Sequence, residues 1–196
     1  MKSTRAKVLH ELSGVPLIGH VLATAEALEP DHVAVVVRHQ RDDVAAVIAE
    51  HAPAAVIIDQ DEVPGTGRAL EVALAALPAS FTGDVVVISG DVPLLDSDTL
   101  RAVIAHHREQ DAIATVITTV LEDPTGYGRI IRDDQGRISR IVEEKDCKEF
   151  EKEIDEINSG VYLFDFAALR GALAELSSDN AQGEEYLTDV ISILQR

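Results

Sequence analysis

The chain has 196 residues, 46% of them apolar, and its 17 Lys+Arg against 35 Asp+Glu leave a formal net charge of −18. That composition suits one globular domain with a real core, and the acidity argues against nucleic acid or an anionic membrane as partner. The single cysteine, Cys147, excludes a disulfide scaffold and any multi-cysteine zinc site.

Met1 to Arg5 is basic, but Lys7 and His10 interrupt the next stretch before any signal-like apolar region forms. No apolar run approaches the roughly 20 residues of a membrane span, so a soluble, cytoplasmic domain is expected. Pro16–Leu28 reads as a helix with proline in its first turn. His32–Arg38, Ala54–Asp59 and Asp84–Ser89 are short continuous apolar runs. Such runs suit strands covered on both faces, as in a parallel sheet flanked by helices. Arg41–His51, Arg68–Leu77 and Asp98–Gln110 supply the helices, the last capped by Ser97 or Asp98. The sum is an α/β fold, an open sheet with right-handed crossovers.

The texture changes after about residue 111. Ala112–Val120 is a longer β-branched strand, and Arg129–Arg132 and Arg137–Glu143 flank a hairpin turn at Asp133 to Gly136. The acidic stretch Glu143–Glu156 reads as a solvated excursion. A strand Gly160–Asp165 and helices Phe166–Leu176 and Tyr186–Leu194 complete the chain. A mostly parallel nucleotide-binding half, about 1–110, then joins a mixed, antiparallel-rich substrate half, about 111–196, within one domain.

Ligands of open α/β sheets gather beyond the carboxyl ends of the strands, and three segments fall there. In Ser89 to Leu94, Asp91 is placed to hold Mg²⁺ and Gly90 lets a ligand approach the backbone; equally, Asp91 merely begins the loop. In Gln60 to Gly67, Gly65-Thr66-Gly67 exposes N–H groups at a helix start, fit for a phosphate or base edge. It is neither a dinucleotide fingerprint nor a Walker loop, and an ordinary turn explains it as well. In Thr125 to Arg129, the glycines form a tight turn or let backbone approach a sugar. Lys7, Glu143 and Asn158 carry no assignment singly, the last two punctuating strand ends. The seven histidines lack metal-ligand spacing, Cys147 has no nearby base, and no Gly-x-Ser-x-Gly elbow occurs.

The order of these segments is more specific than any one of them. Lys7 to His10, Gln60 with Pro64 to Gly67, Gly90 to Leu94, Asp123 to Ile130, Ile141 to Asp146, Glu156 to Gly160, and Asn180 to Glu184 with Tyr186 to Asp189 succeed one another along the chain. Together they closely resemble the uridylyltransferase (pyrophosphorylase) domain of the bacterial bifunctional UDP-N-acetylglucosamine pyrophosphorylase/glucosamine-1-phosphate N-acetyltransferases. The resemblance spans essentially all 196 residues. It implies a Rossmann-like nucleotidyltransferase fold and transfer of UMP from UTP to N-acetylglucosamine 1-phosphate, feeding peptidoglycan and cell-envelope synthesis. A transferase for another sugar 1-phosphate, or an inactive sugar-nucleotide-binding fragment, is the alternative.

By the same resemblance, Lys7 contacts phosphate, Gln60 with the Gly65-Thr66 backbone reads uracil, and Asp91 holds the catalytic Mg²⁺ with Gly90 against the nucleotide. Gly128, Glu143 and Asn158 contact the N-acetylglucosamine and ribose, and Tyr186 and Thr188 lie near the acetamido pocket. The substrate partners are UTP and N-acetylglucosamine 1-phosphate, and the full-length family is a homotrimer through a C-terminal β-helix. Ala6 and Arg68 depart from the family's usual Pro and His. The family's first strand, its glycine-rich phosphate loop and a second metal ligand have no counterpart in the sequence, so impaired turnover is expected of the chain as it stands.

Overall fold

The computed structural model describes residues 4–196; Met1 to Ser3, the start of the basic N-terminal stretch, lies outside them. A 3₁₀ turn at Lys7–Leu9 leads into a hairpin of Glu11–Leu12 (β1) and Val15–Pro16 (β2). Ser13 and Gly14 turn that hairpin in the left-handed region. Pro16 then stands as the N-cap of helix Leu17–Glu26 (α1) rather than inside its first turn, because it pairs with Glu11, as Val15 does with Leu12, in β-structure. Next come Ala34–Val37 (β3), Arg41–His51 (α2), Val56–Asp59 (β4), Thr66–Ala75 (α3), Asp84–Val87 (β5) and Ser97–Glu109 (α4). The α4 cap is Asp96, not Ser97 or Asp98: its carboxylate accepts from Thr99 N at 2.7 Å.

The second half runs Ala114–Val120 (β6), Arg129–Arg132 (β7), Ile138–Val142 (β8), Glu149–Lys152 (α5), Glu156–Asp165 (β9), Phe166–Leu173 (α6) and Asp189–Leu194 (α7). The β7–β8 hairpin turns as expected, with Asp133 N donating to Arg137 O and Gly136 in the left-handed region. The long apolar strand β9 is the hub of a five-stranded sheet, pairing antiparallel with β5, β6 and β7. β3 and β4 form a separate parallel pair. Among the described residues no ladder joins this pair to the larger sheet, so β3 and β5 each keep an unpaired edge. The α/β class holds, with mixed pairing: the parallel arrangement expected of the first half appears in β3–β4, while β5 joins the antiparallel sheet through β9.

Helices supply what the sheets need to bury. Leu169, Leu173 and Val190 pack with Phe164, Tyr162, Ile130 and Ile141 in one core. Leu9, Ile18, Leu22, Val44 and Ile48 form a second core around Val37. Each such side chain stabilises the fold by about 1.5–3 kcal/mol on burial. Val36 and Ile58 of the small sheet reach the first core, as do Val85 and Val87 of β5.

Two expectations fail in the second half. The stretch Glu143–Glu156 is not a simple solvated excursion: it holds a 3₁₀ turn at Glu144–Asp146 and α5, and Glu151 is only 2% exposed. Glu151 accepts from Lys148 N at 2.8 Å and from Arg140 at 2.7 Å, which compensates its burial. Strand β9 also begins at Glu156, four residues earlier than expected, so Asn158 lies within a strand. A bulge explains the polar, loop-like sequence there: Ile117 alone stands opposite Ser159 to Val161, with Gly160 at φ +79°.

Candidate active site

Turns, loops and strand ends carry most of the expected polar groups, and Asn158 lies inside β9. Past β5, the turn Ser89 to Leu95 brings Asp91 to the Lys7–Leu9 turn, and Lys7 Nζ donates to the Asp91 carboxylate across 84 positions of sequence. Lys7 is mostly exposed and Asp91 about a quarter exposed. Gly90 packs where a side chain does not fit comfortably: a Cβ there comes within 3.1 Å of Ile18 and 3.3 Å of Val8. Among the described residues no three His, Cys, Asp or Glu side chains gather as a metal cage. The Asp91 carboxylate could give one ligand to a hard divalent cation, the rest of whose ligands would have to come from outside the protein.

The Gln60 to Gly67 loop is held from inside. Gln60 Nε2 donates to the carbonyls of Val63 and Gly65, both at 3.0 Å, which leaves the amide oxygen as the group able to accept from a ligand. The Gly-Thr-Gly run is not an open cradle of N–H groups. Gly67 N donates to Glu185 O at 2.8 Å, Glu185 N donates to Pro64 O at 3.0 Å, and Leu187 N donates to Thr66 Oγ1 at 3.0 Å. Gly65 sits at φ +130°, where a Cβ meets Glu185 O at 2.2 Å. Glycine is required because another backbone lies there. Arg68, in the place of the family's histidine, is tied to Asp61 and Glu71.

Gly128, Glu143 and Asn158 converge. A Cβ on Gly128 lies 3.6 Å from Glu143 Oε2 and 3.7 Å from the Asn158 side chain, and Asn158 N donates to Gly128 O at 2.9 Å. Asn158 Oδ1 accepts from Gly160 N at 3.0 Å, while its Nδ2 donates to the Tyr162 hydroxyl. Burial pushes the Glu143 carboxyl above its ordinary range, against a hydrogen bond from Thr188 that lowers it, and Asp189, Asp146 and Glu184 add to the rise. Burial likewise raises Asp189, helped by Asp146.

Tyr186 and Thr188 are buried, at 6% and 3% exposure. Both act through neighbours. Thr188 Oγ1 donates to Glu143 at 3.0 Å, and the Tyr186 hydroxyl donates to Asp146 at 3.2 Å while accepting from Gln182 at 2.8 Å. Asp146 also accepts from Ala181 N at 2.9 Å. The acidic turn and the Asn180 to Thr188 loop thus form one wall. Ser89 connects the two halves, its hydroxyl against Gly160 at the β9 bulge.

Sequence reasoning passed over Arg129 and Glu144. Arg129 is 1% exposed, pairs with Glu144 at 2.7 Å, donates to Tyr127 O, and its Nε finds no acceptor. These are the sequence neighbours of Gly128 and Glu143. The available signal was an arginine opening an apolar strand, Gly-Arg-Ile-Ile. Cys147 is free and half-buried, and burial pushes its thiol up, which disfavours a nucleophile.

An α/β fold with a lysine–aspartate pair, a clasped glycine-rich loop and a polar wall has the charge and the hydrogen-bonding groups that handling a phosphorylated ligand requires, which is the work of the enzymes that move nucleotidyl groups. Over residues 1–186 the chain matches the MobA-like NTP transferase domain, and it belongs to that family. It is 57% identical over 195 residues to the Bifunctional protein GlmU of Leifsonia xyli subsp. xyli, covering 100% of this chain and 40% of that protein. It is 55% identical over 196 residues to GlmU of Clavibacter sepedonicus, again covering 100% and 40%. The chain therefore spans about two-fifths of these relatives. A solved structure described as a putative glucose-1-phosphate thymidylyltransferase from Bacillus anthracis shares the fold, with TM-score 0.74 and 21% identity over 96% of this chain and 74% of its own. A UDP-glucose pyrophosphorylase complexed with UDP-glucose does so with TM-score 0.71 and 16% identity, over 95% and 77%.

Proposed function

We propose that the chain is the uridylyltransferase part of a bifunctional UDP-N-acetylglucosamine-forming enzyme. It joins UTP to N-acetylglucosamine 1-phosphate and releases pyrophosphate in the cytoplasm. The observation that carries this reading is the meeting of Lys7 with Asp91, together with Glu143, Gly128 and Asn158 gathered where the ends of β7 and β8 adjoin β9. The whole-length similarity to proteins named GlmU supports the choice of substrates.

A phosphate oxygen of the sugar phosphate forms a bond to the α-phosphorus of UTP, and the bond from that phosphorus to the β-phosphate bridging oxygen breaks. The attacking group is already an anion, so no strong general base is required. The difficulty is holding two polyanions in line. Lys7 turns its ammonium from Asp91 to the phosphates and offsets charge building at the α-phosphoryl oxygens. Asp91 would hold Mg²⁺, which supplies charge neutralisation and a template across the phosphates. The amide oxygen of Gln60 accepts from the N–H of uracil beside the Gly65-Thr66 backbone, with Gly90 against the nucleotide. Glu143 accepts from sugar hydroxyls, Gly128 gives the sugar room to approach, Asn158 borders the ribose, and Tyr186 and Thr188 back the acetamido pocket.

In this reading residues up to about 110 serve the nucleotide and the remainder the sugar. The test is turnover with UTP, measured on the chain and on a form extended by flanking sequence. N-acetylglucosamine 1-phosphate is expected to exceed glucose 1-phosphate by at least about 10²-fold, because an unfilled amide site leaves buried polar groups unpaired. Equal turnover assigns the chain to another sugar phosphate, and binding of UDP-N-acetylglucosamine without turnover assigns it to a binding module.

A further inference from the structure

We propose that Thr66, although it stands on the base-side loop, is a positioning residue for the sugar subsite, acting through Leu187 and Thr188 on Glu143. This rests on the proposed assignment of Glu143 to the sugar. The path is continuous. Gln60 Nε2 holds Gly65 O, the next residue's Thr66 Oγ1 accepts from Leu187 N at 3.0 Å, and the adjoining Thr188 hydroxyl donates to Glu143 at 3.0 Å. Base reader and sugar reader are four hydrogen-bonded or adjacent residues apart.

Several features make this path stiff. Leu187 and Thr188 are 4% and 3% exposed, so water does not readily replace a lost partner. The two strands of the clasp are fixed on either side of Thr66 by the Pro64–Glu185 and Gly67–Glu185 backbone bonds. The missing side chain at Gly65 lets the Glu185 backbone approach, since a Cβ there meets its oxygen at 2.2 Å. Glu143, by contrast, is desolvated and faces the like charges of Asp189, Asp146 and Glu184. The Thr188 hydroxyl is the donor that aims this carboxylate, and its own placement depends on the backbone at Leu187. Filling the base side therefore tightens the clasp and pre-positions the sugar acceptor, a coupling between two subsites through one shared element.

The test compares the affinities of UDP and UDP-N-acetylglucosamine for the chain and for Thr66→Val, Thr66→Ser, Glu143→Gln and the Thr66→Val/Glu143→Gln pair. The readout is the preference for the sugar nucleotide over UDP. Thr66→Val is expected to reduce that preference about ten-fold, Thr66→Ser to retain it, and the double variant to lose no more than Glu143→Gln alone. Hydrogen exchange in the unaltered chain gives a reading that needs no variant. UDP alone should slow exchange at the Leu187 amide, on the sugar side of the site. The proposal is overturned if Thr66→Val weakens both ligands alike, if serine does not restore the preference, or if UDP leaves Leu187 exchange unchanged. A chain that shows no preference for the sugar nucleotide over UDP before any substitution overturns the sugar assignment itself, and this inference with it.

Discussion

In the first half of the chain the key polar pair, Lys7 with Asp91, stands between two loops and faces solvent. In the second half Glu143 is reached through Thr188, Tyr186 is held by Asp146 and Gln182, and Arg129 is locked to Glu144 under both. A loose pair can exchange partners, so its lysine and carboxylate are free for phosphate and metal. A buried network cannot, so it keeps one shape. The first half supplies exchangeable charge and the second half supplies a mould.

That contrast can be broken at four points, with effects of decreasing size. Glu144→Gln leaves the Arg129 guanidinium buried without its counter-charge, and chemical denaturation should show a loss of about 3 kcal/mol. A smaller loss than from a surface pair would show that the buried network of the second half is not a rigid mould. Asp91→Asn should cut turnover of the extended form about 100-fold, or some 2.7 kcal/mol of barrier, with a melting temperature within a degree or two of the unaltered protein. Gly65→Ala is expected to destabilise by about 2 kcal/mol, through strain at a positive φ and the Glu185 carbonyl in its path; calorimetry measures it.

The smallest effect is a pH dependence. The folded Glu143 carboxyl lies above its ordinary 4.5, so its contribution to stability is fully present below that value and is lost as pH rises through the folded value. Glu143→Gln should therefore melt with the unaltered protein near pH 4 and a few degrees above it near neutrality. Identical melting curves at both pH values would place Glu143 in water.

The succession of strands and helices, and the positions of Lys7, Gln60 and Asp91, were legible because each depends on a local run of sequence or on the order of short motifs. What was not legible depends on partners distant in sequence. Asp96, Ser97 and Asp98 are all competent caps, and only geometry selects the one that reaches Thr99 N. Glu151 reads as solvated until Arg140 is brought to it by the turn of α5. Asn158 reads as a strand end because the bulge places polar residues and a left-handed glycine inside β9. The Gly65-Thr66-Gly67 run signals a tight backbone, but not that Glu185 is what it is tight against.

The separation of the β3–β4 pair from the five-stranded sheet has a consequence for how the molecule opens. Two short strands form a marginal unit by themselves, and this pair is held by side chains alone, those of α1, α2 and the Lys7–Leu9 turn on one side and, through Val36 and Ile58, those of the core containing Leu70 and Leu74 on the other. It can come apart without breaking a single rung around β9. The amides of Val35, Val37 and Ile58 belong to such a sub-global opening. They should exchange with deuterium well before those of Leu163 and Phe164, which are released only when the whole domain unfolds.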